Sequence, residues 1–181
     1  MEKLKGKRIA ILVEDLFEDL ELWYPAIRMR EEGAEVILVG PEKKVYKGKY
    51  GVPAEADITS AQAKPEDFDA VIIPGGYSPD RMRRDPKLVD FVREVGRRGK
   101  VVAAICHGPW MLISAGLIKG KKVTSFFAIK DDVVNAGAEF VDAEVVVDGN
   151  IITSRTPKDL PAFCKAIIES LASDSGGSPY K

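Results

Sequence analysis

Five consecutive residues, Val101-Val102-Ala103-Ala104-Ile105, carry no polar side chain, and a cysteine follows at once. A strand with one wet face would alternate apolar and polar, whereas a run that is apolar on both sides suits the centre of a parallel sheet covered by helices. Similar runs stand at residues 8–13, 35–39 and 70–73. Between them lie stretches with apolar residues at helical spacing: residues 20–32, closing at Gly33, and 86–98, closing at Gly99. Strands that alternate with helices and connect by right-handed crossovers predict an α/β protein, a flavodoxin-like three-layer sandwich with a mostly parallel sheet.

Residues 44–50, followed by Gly51 and Pro53, read as a short hairpin or lid. Beyond the cysteine the pattern predicts a helix over 109–115, a strand near Val123, a helix over 129–135, strands at 145–147 and 151–154, and a last helix over 159–171. Residues 1–172 form one domain on this reading, and the Ser- and Gly-rich stretch 173–181 is expected to be a disordered tail.

A formal net charge of -1 over 181 residues gives no electrostatic reason to expect nucleic acid or an anionic membrane as partner. No apolar run approaches the ~20 residues that span a bilayer, so a cytoplasmic location is expected. Two cysteines, Cys106 and Cys164, fit a reducing compartment in which neither is paired. The single Gln and two Asn beside many charged residues resemble the composition of proteins from hot environments.

The chemistry centres on Cys106, placed where the central strand turns into a helix, as in a nucleophile elbow. Gly108 permits close backbone approach there, and Pro109 suits a first helical turn because it lacks an N–H that would have no partner. The helix N-terminus is expected to favour thiolate over thiol. Cys164, inside the apolar face of the last helix, reads as a core residue. An oxyanion formed at the elbow would find the backbone N–H of His107, with Gly76 of Pro74-Gly75-Gly76 as second donor.

His107 is the only histidine, so a distant His-Asp or His-Glu pair within one chain is excluded. Either His107 or a carboxylate must handle the thiol proton. Glu18 and Glu21, three apart past the end of the first strand, share a helical face that can look toward Cys106. A carboxylic acid beside a thiolate should have a raised pKa and donate a hydrogen bond, or act as base; the alternative is an acidic cluster complementing the helix dipole. No metal-ligand spacing or phosphate-binding loop occurs, so neither metal nor cofactor is expected. The runs Arg81-Met82-Arg83-Arg84 and Arg97-Arg98-Gly99-Lys100 read as solvated faces.

Phe17-Glu18-Asp19-Leu20-Glu21-Leu22, Ile73-Pro74-Gly75-Gly76, Ala104-Ile105-Cys106-His107-Gly108-Pro109, Ile129-Lys130-Asp131-Asp132 and Asp142-Ala143-Glu144-Val145-Val146-Val147-Asp148-Gly149-Asn150 together resemble the ThiJ/PfpI superfamily, close to its PfpI intracellular protease branch. The resemblance implies self-association as dimers, trimers of dimers or hexamers, with the Cys-His pair completed by an acid from an adjacent subunit. The matching position is Asp80, where that branch often carries Glu. It also implies that Glu21 is the acid beside the thiol, with Glu18 next to it, and that Phe126 replaces a pocket tyrosine of some relatives. The expected activity is that of a cysteine-dependent hydrolase acting on peptides. The alternatives are a cofactor-independent glyoxalase or deglycase acting on methylglyoxal or its adducts, and a stress chaperone or redox sensor. Class I glutamine amidotransferases share the fold and elbow but need a later His-x-Glu pair that this chain lacks.

Overall fold

A computed structural model describes residues 2–173. The elements follow in chain order as β1 (Arg8–Leu12), α1 (Asp19–Glu31), β2 (Glu35–Gly40), β3 (Val45–Lys47), β4 (Pro53–Glu55), β5 (Ile58–Thr59), β6 (Ala70–Ile73), α2 (Ser78–Met82), α3 (Pro86–Arg97) and β7 (Val101–Ile105). They continue as α4 (Pro109–Ser114), β8 (Lys122–Val123), α5 (Lys130–Asn135), β9 (Glu139–Phe140), β10 (Val146–Asp148), β11 (Ile151–Ser154) and α6 (Leu160–Ser173). Ser173 therefore closes the last helix instead of opening a tail; the rest of that expectation, residues 174–181, lies outside the described residues.

Seven strands form one sheet in the order β10-β11-β7-β6-β1-β2-β5, parallel throughout except for the β10–β11 pair. Counting only β2, β1, β6, β7 and β11, this is the flavodoxin-like order 2-1-3-4-5, in which ligands gather beyond the carboxyl ends of the strands. Strand periodicity explains the absence of a polar face. Ile9, Ile11, Ala103 and Ile105 point into the layer of α1 and α6, with Met29 and Phe163, while Ala10, Leu12, Val102 and Ala104 point into the layer of α3 and α4, with Val92 and Leu112. Each side of β7 is thus core.

The helix ends are built from local chemistry. Asp85 caps α3 by accepting the Lys87 N–H at 3.0 Å, and Pro86 follows at the position where a missing N–H costs nothing. Glu18 is the N-cap of α1, its side chain accepting the Glu21 N–H at 3.0 Å. Among the described residues no helix is long and apolar enough to cross a membrane.

Candidate active site

Cys106 takes a left-handed backbone conformation, φ 64°, which side-chain-bearing residues rarely adopt. The turn is held from both sides: Cys106 N–H donates to Ser154 O at 3.0 Å, and Phe126 N–H donates to Cys106 O at 2.9 Å. A Cβ at position 108 would stand 2.6 Å from Ile73 O, so only glycine lets the elbow press against the end of β6. Gly75 plays the matching part on the other side, since a Cβ there would meet Glu21 Oε1 at 2.6 Å and Cys106 Cβ at 2.8 Å. A side-chain-bearing residue held in this conformation stores backbone strain that the surrounding packing must maintain.

The sulfur opens into a pocket of about 350 Å3 whose walls include Glu18, Glu21, Lys49, Gly76, His107 and Phe126. Cys106 is 8% exposed, so the thiol is sheltered yet reachable. His107 Nδ1 lies 3.3 Å from Cys106 Sγ, and the backbone N–H groups of Gly76 and His107 point at the sulfur. The imidazole is clamped between Trp110, edge-on at 5.2 Å between centroids, and Phe126 at 5.1 Å. Trp110 is itself fixed by donating from Nε1 to Asp132 at 2.9 Å.

Glu21 is fully buried. Its Oε1 accepts the Gly75 N–H at 2.9 Å, and its Oε2 has no hydrogen-bond partner among the described residues. Burial, and then the negative Glu18, push its pKa up to about 8, so at neutral pH it keeps its proton. Burial, and then the charge of Glu21, push the Cys106 thiol up to about 12. The expectation that the helix N-terminus would favour thiolate is thereby corrected: α4 is only 6 residues long, and desolvation together with a neighbouring carboxylate outweighs it. Burial, and then Lys49, hold His107 below its ordinary value, so the ring is neutral at pH 7 and can accept a proton.

A model of the DJ-1/PfpI family matches residues 7–170. The chain belongs to that family. It is 47% identical to the "Deglycase PfpI" of Pyrococcus furiosus over 164 residues, 91% of this chain and 99% of the relative. It is 46% identical over 159 residues, 87% of this chain and 94% of the relative, to YraA of Bacillus subtilis, whose name calls it a candidate cysteine protease. Among solved structures, a two-domain protein of Anabaena variabilis with DJ-1/ThiJ/PfpI-like and ferritin-like domains superposes with a TM-score of 0.89 at 43% identity, covering 96% of this chain and 56% of that one.

Within this DJ-1/PfpI chain Cys106, His107, Glu18, Glu21 and Gly76 come together in one pocket, as the motifs suggested. Asp80, expected to act from an adjacent subunit, lies outside this chain's own pocket: it sits in α2 and pairs with Arg84 at 2.7 Å, its side chain 57% exposed. Cys164 is buried under α6 with Phe163 and Ile167, a core thiol. Sequence reasoning passed over Tyr50, Tyr77, Thr156 and Pro157 of the pocket, and also its one lysine, Lys49. It reaches the site because the β3–β4 loop is tied to α1, with Asp19 accepting the N–H of Tyr50 at 3.0 Å and of Val52 at 2.9 Å. The one signal for it was the hairpin itself, next to an acidic N-terminal turn.

Proposed function

We propose that the chain is a cysteine-dependent hydrolase of the PfpI type, in which Cys106 attacks a carbonyl carbon. One observation carries the reading: a single sulfur has an imidazole nitrogen at 3.3 Å, two backbone N–H groups and the buried carboxyl group of Glu21 around it in a sheltered pocket. His107 Nδ1 takes the thiol proton as sulfur adds to the carbonyl, and the Gly76 and His107 N–H groups receive the oxyanion. The imidazolium then returns its proton to the leaving nitrogen. Water hydrolyses the remaining thioester and frees the thiol.

Glu21 favours a second reading, the deglycase chemistry in the name of the Pyrococcus furiosus relative and the glyoxalase chemistry of the superfamily the motifs resemble. A group with pKa about 8 can both give and take a proton near neutrality. Addition of the thiol to methylglyoxal would give a hemithioacetal. Glu21 or Glu18 would then move a proton from the first carbon to the second, leaving a lactoyl thioester for water to cleave.

Cys106→Ser separates these readings from a chaperone or redox sensor. The expected result is at least a thousandfold loss of turnover with the fold intact, measured on a fluorogenic peptide and on methylglyoxal without glutathione, with lactate quantified. If wild type turns over neither while Cys106→Ala still suppresses aggregation of an unfolded client, the hydrolase reading falls. Two free thiols support a reducing compartment such as the cytoplasm. Leu20, Tyr24 and Ile27, exposed at helical spacing along α1, support self-association.

A further inference from the structure

Past Phe126 and Thr156, which line both, the catalytic pocket borders a second cavity of about 560 Å3, larger than the one around the sulfur. An aromatic series leads into it. The His107 ring packs on Phe126 at 5.1 Å, Phe126 packs on Phe127 at 4.7 Å, and Phe127 is 76% exposed at the rim. Phe127 thus carries the aromatic wall of the cavity out to solvent.

The charges of this cavity are unequal in availability. Arg155 spends its guanidinium on Asp159, through Nε at 2.9 Å and Nη2 at 3.1 Å, and on Asp142, through Nη1 at 2.9 Å. Asp142 shares that one guanidinium with Asp159. Lys130 has no carboxylate partner among the described residues; its ammonium lies 5.5 Å from the centroid of the Phe140 ring. The cavity therefore offers aromatic walls and one uncommitted positive charge.

The geometry points to a substrate subsite that takes the stretch of polypeptide flanking the reactive residue, with preference for an aromatic side chain next to a carboxylate. This rests on the thiol reading above and adds to it a substrate class: acidic peptide segments as opposed to free small carbonyls. Continuity with the catalytic pocket supplies the route, and Lys130 supplies the charge complementarity.

The test uses chloroacetyl peptides, which alkylate Cys106 whatever the natural substrate is. Sulfur forms a bond to the methylene carbon, chloride leaves, and the thiol proton goes to solvent. Chloroacetyl-Phe-Glu amide and chloroacetyl-Phe-Gln amide, each also made with one Ala inserted before Phe, are compared with iodoacetamide at low salt. In the wild-type protein at least one Glu probe should react about threefold faster than its Gln partner, the size expected of one exposed ion pair. Lys130→Glu should reverse that order, and Phe127→Ala should slow all the peptides, while iodoacetamide reacts equally with all three proteins. Equal rates for Glu and Gln probes in the wild type, or an order that survives Lys130→Glu, overturn the subsite alone. A Cys106 inert even to iodoacetamide overturns the thiol reading and the subsite with it.

Discussion

A carboxylic acid that keeps its proton up to about pH 8, beside a thiol held up to about 12, makes Glu21 and Cys106 one acid–base unit. Ionised Glu21 raises the thiol, so Glu21→Gln should lower the thiol pKa. Iodoacetamide should then label Cys106 several-fold faster in the variant at pH 9, with the two proteins converging at pH 6, where wild-type Glu21 is already neutral. Equal rates at pH 9 would mean that the carboxylate does not act on the sulfur. Stability should move as well. A Glu raised from 4.5 to about 8 contributes stability that is whole below its unfolded value and is lost as pH rises through the folded value. That loss is at most about 5 kcal/mol, and Gln escapes it. Gln can still accept the Gly75 N–H, so the Tm gap in favour of Glu21→Gln should widen between pH 5 and 8 in calorimetry, while on the second reading turnover of methylglyoxal collapses because the amide cannot exchange the proton.

Among the elements, the β3–β4 hairpin does more than its length suggests. Burial, and then Lys49, hold the His107 pKa down, so Lys49→Met should let it rise part of the way. The chain has one histidine, so its imidazole titration can be followed by proton NMR without assignment, and an unmoved midpoint would refute the coupling. This coupling was not legible in the sequence, because it depends on Asp19 reaching across to the amides of Tyr50 and Val52, a contact between residues more than thirty apart. The long elements were legible because burial imposes a period on them: Ala70–Ile73 and Val101–Ile105 have no residue out of place, and α3 begins at Pro86 as read. Ile58–Thr59, Ser78–Met82 and Glu139–Phe140 escaped because two to five residues carry too little periodicity. The elbow was readable because Gly108 and Pro109 flank the cysteine. The dominance of desolvation over the helix end was not, since it depends on how tightly Glu21 and the elbow are packed.

At the scale of the whole molecule, the surroundings of His107 matter most. Its only side-chain hydrogen-bond partner among the described residues is Cys106, and in these residues no acid orients the far side of the ring. The resemblance implied that Asp80 of a neighbouring subunit supplies one. Asp80 faces solvent from α2 and is held only by an i,i+4 contact to Arg84, which an exposed pair surrenders at a cost of about 0.5 kcal/mol. Reorienting it toward a partner's imidazole is therefore cheap. If sites are shared in this way, Cys106→Ala and Asp80→Ala should each be defective alone, yet restore activity when co-expressed. A competent site then needs the cysteine from one variant and the acid from the other. Random mixing makes this so for half of the subunits in one role and half of the neighbours in the other, or about a quarter of wild-type turnover. The assembly should be sized in parallel by light scattering. Recovery well below that level in mixed oligomers of confirmed composition would show that each chain works alone, with His107 oriented by Trp110 and Phe126 and nothing more.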